Sequence, residues 1–241
     1  MSDQPFKGKL AVITGASRGI GLAIAKALAE QGCTLALSSR KATDIRAVAR
    51  RLASSAPVLA EACDVRDPRS VENFFRAIKR QFSHVDFLIN NAGIAHQLQP
   101  VEKLPAKVWR DVIDTNLNGM FFCTRAALPL MRRGGVIVNN LSIAAQRVFP
   151  GMSAYNASKH GALGLTDTLR EELRERGIRV LALVPGATAT DIWDQFMPDA
   201  DRKTMMLPES VASAVVHALS LPPDSAIEEI RMLPLSGTSR T

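Results

Sequence analysis

"LAVITGASRGIGLAIAKAL", residues 10–28, decides the fold. Leu10 to Ile13 is a short apolar, partly β-branched run of the kind that forms a buried strand. Glycines follow at 15, 19 and 21, and from Ile20 onward the apolar residues recur with helical period. Three glycines between a strand and a helix allow a tight turn, close approach of the backbone to a ligand, and close packing of helix on sheet. The free N–H groups and the dipole at the start of that helix favour negative charge in the turn. A glycine-rich turn by itself is also an ordinary loop, so its meaning depends on the rest of the chain.

Outward from this unit the same alternation repeats. Strand candidates are residues 10–15, 34–39, 57–63, 85–90, 135–142, 178–185 and 227–233. Helical patterns lie near 20–31, 42–54, 68–82, 105–132, 153–176 and 209–220. Continuous apolar strands interleaved with helices predict an α/β fold: a Rossmann-type, doubly wound parallel sheet of about seven strands with helices on both faces. No linker-like or low-complexity stretch divides the sequence, so a single domain over 1–241 is expected.

Composition narrows the function. With 46% hydrophobic and 22% charged residues the chain has the make-up of a soluble globular protein. No apolar run reaches the ~18 residues of a membrane span, and the start lacks the layout of a secretory signal; the cytoplasm is the expected location. Cys33, Cys63 and Cys123 are odd in number and widely spaced, which argues against disulfides and for small buried side chains. His84, His96, His160 and His217 are equally scattered, so no metal site is expected. The net charge of +7 comes largely from helix faces such as "LREELRERGIR" (169–179), where acids alternate with arginines. Without a basic arm or an aromatic-studded groove, nucleic acid is not an expected partner.

In this alternating context the turn "TGASRGIG" (14–21) reads as a dinucleotide site, with Gly15, Ser17, Arg18, Gly19, Ile20 and Gly21 as candidate contacts. The end of the second strand chooses between nucleotides. An acid there binds the adenosine ribose of NAD, whereas here no acid occurs from Gln31 to Thr43, and Ser39, Arg40 and Lys41 occupy the turn. Arg40, with Arg18 nearby, suits a 2′-phosphate, which points to NADP(H).

Tyr155 is the one tyrosine in a chain with nine phenylalanines. Lys159 stands one helical turn beyond it and shares its face. An ordinary phenol titrates near 10, and bringing it to about 7 takes roughly 4 kcal/mol of preference for the phenolate. Lys159, the dipole of a helix capped by Ser153 and a bound oxidised nicotinamide would each push in that direction. Taken alone, the pair reads more readily as a core tyrosine with a surface lysine.

The pair is not alone. "TGASRGIG", "NNAG" (90–93), Asn116 in "NLNG", Ser142 in "NNLS", "YNASK" and "PGATAT" (185–190) follow one another in the order and spacing of the short-chain dehydrogenase/reductase family. The resemblance extends from Lys9 to about Leu233. It implies Tyr155 as the general acid/base, Lys159 as the group that lowers its pKa and binds the nicotinamide ribose, Ser142 as the holder of the substrate oxygen, and Asn116 as the positioner of a relay water. It also implies Asp64 and Val65 at the adenine, Asn90, Ala92 and Gly93 along the middle of the cofactor, and Pro185, Gly186, Thr188 and Thr190 at its carboxamide. Homodimers or homotetramers built through 105–132 and 153–176 are a further implication. One departure is Leu141, where many members carry a second serine.

The resemblance implies a small carbonyl or alcohol compound as substrate, whose identity is less legible. A substrate loop is expected at about 189–207, with Trp193, Phe196, Met197, Met205 and Met206 as lid or packing residues and Ile143, Val148 and His96 on the other wall. The tail "PPDSAIEEIRMLPLSG" lacks the glycine pair common near the last strand of acyl-carrier-protein reductases, and looks more like the branch of sepiapterin reductases and 3-hydroxy-acid dehydrogenases. A carbonyl reductase is the leading reading. The alternatives are an oxidative alcohol or hydroxy-acid dehydrogenase, a 3-oxoacyl-thioester reductase, and an NADP(H)-sensing regulator, which would tolerate loss of Tyr155 or Lys159.

Overall fold

The computed structural model describes residues 4–235. Seven strands among them form one parallel sheet: β1 (Leu10–Thr14), β2 (Thr34–Ser39), β3 (Val58–Ala62), β4 (Val85–Asn90), β5 (Met131–Asn140), β6 (Arg179–Pro185) and β7 (Glu229–Met232). Their spatial order is β3-β2-β1-β4-β5-β6-β7, so the winding reverses between β1 and β4. In such sheets ligands bind across the carboxyl ends of the strands at this reversal.

The central strands β1, β2, β4 and β6 are buried along their length because both faces are covered, whereas the edge strand β7 alternates between exposed and half-buried residues. Ala11 and Ile13 of β1 pack in one cluster with α1 (Gly19–Glu30), α2 (Ala42–Leu52) and α7 (Pro208–Ser220). Leu10 and Val12 pack in the other with α3 (Pro68–Gln81), α5 (Gly119–Ala127) and α6 (Ser153–Leu173). Phe74 of α3 is 1% exposed at the centre of this second cluster, and truncating such a side chain costs about 3–5 kcal/mol. The start of α3 is written locally: Asp67 accepts a hydrogen bond from Arg69 N at 2.9 Å, and Pro68 occupies the first helical position.

Two expectations need correction. The stretch 105–132 is not one helix. It comprises α4 (Ala106–Ile113), a π-helical turn (Asp114–Asn118), α5 and a 3₁₀ turn (Leu128–Leu130) that contains Pro129, after which the chain enters β5 at Met131. Pro129 has no N–H to continue the helical ladder, and Met131 pairs with Val85 ahead of a register shift. The second correction concerns the cap of α6. Met152 holds the N-cap position, and Ser153 is the first helical residue, its hydroxyl buried and without a partner among the described residues. Tyr155 still lies in the first turn.

Candidate active site

Gly15 and Gly19 take the left-handed backbone conformation, with φ of +64° and +57°. At Gly15 a β-carbon would also come within 2.8 Å of Ala92 Cα, so the turn requires glycine on both counts. Arg18 is the N-cap of α1 but does not cap it with its side chain, and the first turn contains no acid. The opening N–H groups are thus left to an anion. Gly21 serves packing instead, because a β-carbon there would meet Asn91 Nδ2 at 2.3 Å and Gly15 O at 2.7 Å.

From this turn a cleft of about 740 Å³ runs over the carboxyl ends of the strands. It brings together Gly15, Ser17, Arg18, Gly19, Ile20, Ser39, Arg40, Asp64, Val65, Ala92, Gly93, Ser142, Tyr155, Lys159, Pro185, Gly186, Thr188 and Thr190. Arg40 is exposed at the end nearest β2. Asp64 lines the cleft, but its carboxylate accepts hydrogen bonds from Arg66 Nε at 3.0 Å and Nη2 at 2.7 Å. These bonds hold its pKa below the ordinary carboxylate value, helped by the charges of Arg66 and Arg40.

Three expected contacts lie behind the wall. Gly21 is one. Asn90 is 4% exposed and donates to Thr124 Oγ1 and Asn139 Oδ1, both at 2.9 Å, in a polar ladder inside the protein. Asn116, in the π-helical turn, accepts from Ile94 N at 2.8 Å and donates to Ile94 O at 2.9 Å and Ser158 Oγ at 3.0 Å. Ser158 in turn donates to Tyr155 O at 2.8 Å. Asn116 therefore braces α6 against the segment after β4. The extra residue of the π-helical turn is a feature that helical periodicity in the sequence does not reveal.

At the far end Tyr155, Ser142 and Lys159 share one wall. Ser142 caps the short turn Ile143–Ala145 through Ala144 N at 3.2 Å and is hydrogen-bonded to the Tyr155 side chain. Burial pushes the phenol above its ordinary value of 10.0, and the Ser142 bond works against that rise. Lys159 lies 5.6 Å from the centre of the Tyr155 ring and donates to Asn140 O at 2.9 Å. Burial lowers its own pKa from 10.5 to about 8. The expected depression of Tyr155 by Lys159 is thus not what these side chains produce on their own; desolvation dominates.

The segment after β6 closes this end. Trp193 Nε1 donates to Thr188 O at 2.9 Å, Trp193 stacks on Phe196 at 4.6 Å, and Gln195 Oε1 accepts from Ala95 N at 3.0 Å across the cleft. Trp193, Phe196, Met197 and Met205 line the cleft opposite Ile143 and Val148. Met206 instead packs on the core, and His96 is buried with Nδ1 at 2.8 Å from Gln97 O. Reading the sequence missed Asn91 and Asn140, which also line the cleft; their signal was a doubled asparagine ending each of two apolar strands.

Among the described residues no cluster of His, Cys, Asp or Glu could hold a metal, and no helix is long and apolar enough to cross a membrane. The arrangement can anchor phosphate at one end and exchange a proton with a bound oxygen at the other. Comparison with known proteins agrees with that geometry. Residues 9–201 match the family model for short chain dehydrogenase. A farnesol dehydrogenase from Aedes aegypti is 33% identical over 239 residues, covering 95% of this chain and 97% of that protein. An alcohol dehydrogenase from Thermococcus sibiricus, solved with 5-hydroxy-NADP, superposes with a TM-score of 0.89 at 31% identity, covering 97% of this chain and 99% of that one. A 3-ketoacyl-(acyl-carrier-protein) reductase from Brucella melitensis, solved with NADH, gives 0.85 at 30% identity, covering 94% and 97%. The chain belongs to the short-chain dehydrogenase/reductase family of oxidoreductases.

Proposed function

We propose that the protein is an NADP(H)-dependent carbonyl reductase that moves hydride between nicotinamide and the carbonyl carbon of a largely apolar ketone, aldehyde or 3-oxo substrate. The observation that carries this reading is one cleft with an anion cradle at Gly15–Gly19, where the first turn of α1 has no acid and Arg18 pairs with Asp191 at 3.5 Å, Arg40 beside it, and Tyr155, Ser142 and Lys159 at the other end. A dinucleotide fits these residues: the glycine turn leaves no room for a β-carbon at Gly15, and the first turn of α1 has unused N–H donors. Arg18 and Arg40 would hold the 2′-phosphate, with Ser17, Gly19, Ile20 and Ser39 completing that end. Asp64 and Val65 would flank the adenine, Ala92 and Gly93 the middle, and Pro185, Gly186, Thr188 and Thr190 the carboxamide.

When bound, the nicotinamide supplies the hydride. Tyr155 gives its proton to the substrate oxygen as the carbonyl is reduced, and Ser142 holds the same oxygen with its hydroxyl. The Lys159 ammonium stabilises the phenolate left on Tyr155, and Asn116 keeps the helix carrying both in register. Run in reverse, the same groups oxidise an alcohol. Trp193, Phe196, Met197, Ile143 and Val148 give the substrate end an apolar wall within the loop at about 189–207. Buried free cysteines at 33, 63 and 123 support a reducing, cytoplasmic setting.

Exposed Trp109 of α4 and Phe121 of α5 support a homodimer or homotetramer formed through the region 105–132 and α6. A strictly monomeric protein in light scattering contradicts that assembly. The test of function is initial-rate turnover, read by cofactor absorbance, for NADPH with diketones, aldehydes, 3-oxo esters and pterins, and for NADP with the matching alcohols. Turnover with apolar carbonyls is expected. A protein that binds no NADPH and turns over nothing in either direction refutes the reading.

A further inference from the structure

Two asparagines end β4 and its continuation (Asn90, Asn91), and two end β5 (Asn139, Asn140). Side chains alternate along a strand, so each pair sends one amide to each face. Asn90 and Asn139 belong to the interior ladder, where Asn139 Nδ2 donates to Thr166 Oγ1 at 3.0 Å. Asn91 and Asn140 form a separate chain on the cleft side. Asn91 Nδ2 donates to both Thr14 O and Gly15 O at 3.0 Å, and Asn91 N donates to Thr14 Oγ1 at 3.1 Å. Its Oδ1 accepts from Asn140 Nδ2 at 2.9 Å, and the main-chain oxygen of Asn140 accepts from Lys159 Nζ at 2.9 Å.

The orientation of every amide in this chain is forced. Asn91 spends its amide nitrogen on two carbonyls of the glycine turn, so its oxygen faces Asn140, which must present a donor. The absent β-carbon of Gly21 leaves the space that Asn91 Nδ2 fills. The remaining oxygen of Asn140 is buried and finds no donor among the described residues. A polar side chain that leaves an acceptor unused is costly at the end of an apolar strand. An apolar residue would meet the packing demand without that cost, so packing does not account for asparagine here.

We propose that Asn140 is a positioning residue that fixes the cofactor-cradling glycine turn and Lys159 relative to each other. Through Asn91 it holds the carbonyls of Thr14 and Gly15, which sets where the turn presents its N–H groups. Through its own backbone it holds the ammonium that serves Tyr155. The inference rests on the nicotinamide reading above and adds a residue outside the catalytic set named there.

The test compares Asn140→Leu and the smaller Asn140→Ser with Thr166→Val, which damages the interior ladder only. The readouts are the dissociation constant for NADPH by fluorescence titration without substrate, the melting temperature, and the pH profile of carbonyl reduction. Both Asn140 variants are expected to bind NADPH about tenfold more weakly. The Asn140 carbonyl that accepts from Lys159 is retained in both variants but is no longer tied to Asn91, so the ammonium is less firmly placed, the phenolate is less stabilised, and the alkaline limb of reduction moves up by about half a pH unit or more. Thr166→Val is expected to lower the melting temperature with binding and pH profile unchanged. Wild-type binding and profile in either Asn140 variant overturn the proposal, as does an equal loss of binding in Thr166→Val. If the wild-type protein itself fails to bind NADPH, the fault lies with the cofactor reading.

Discussion

Replacing Lys159 with methionine should stabilise the cofactor-free protein at pH 7. Lys159 is 5% exposed, and burial brings its pKa from 10.5 to about 8. By the relation of about 1.4 kcal/mol per tenfold change in proton affinity, folding carries roughly 3 kcal/mol of penalty for the charged form. Methionine has similar length and no charge, so it removes that penalty while giving up the hydrogen bond to Asn140 O, worth about 1 kcal/mol. The net gain is about 2 kcal/mol, or roughly 4–8 °C in melting temperature for a chain of this length. Because the folded pKa is depressed, the penalty is present in full below pH 8, is relieved as pH rises between about 8 and 10.5, and is gone above. Urea or thermal unfolding of both proteins from pH 7 to about pH 11 measures this directly. The variant should lead at pH 7, lose its lead with rising pH, and fall behind by the value of the lost hydrogen bond. A variant that is less stable at pH 7 by a margin independent of pH refutes the reasoning.

Arg40→Ala should weaken NADPH binding by about ten- to a hundredfold, the value of a charge-assisted bond to phosphate, while leaving NADH binding unchanged. Equal losses for the two cofactors in parallel titrations count against a 2′-phosphate contact. Gly21→Ala should cost about 1–3 kcal/mol and weaken cofactor binding, because the new methyl forces Asn91 out from under the glycine turn. An unchanged melting temperature would mean that the 2.3 Å approach is relieved without cost.

Much of this was legible in the sequence because it depends on local chemistry. The runs 34–39 and 85–90 match β2 and β4 residue for residue, since strands covered on both faces carry mostly apolar, strand-favouring residues bounded by turn residues. Gly15 and Gly19 were legible because a turn between strand and helix leaves few alternatives to glycine. What escaped notice depends on three-dimensional neighbours. The π-helical turn at Asp114–Asn118 adds no residue type that marks it, yet it sets Asn116 against Ile94 and Ser158. Asn90 reads like a cofactor contact from its place in "NNAG", but strand alternation sends its side chain inward and leaves Asn91 on the cleft. The titration of Tyr155 was also out of reach, because the balance between burial, which raises its pKa, and the Ser142 hydrogen bond, which lowers it, depends on the packing around the ring.

The most direct test of the catalytic assignment is Tyr155→Phe, assayed for NADPH binding and for turnover of the best substrate from the screen. Removing the proton donor while keeping the ring should leave the dissociation constant for NADPH within about twofold and lower kcat by about 10²–10⁴. Turnover close to wild type, with binding intact, would contradict the assignment of Tyr155 as the group that exchanges the proton.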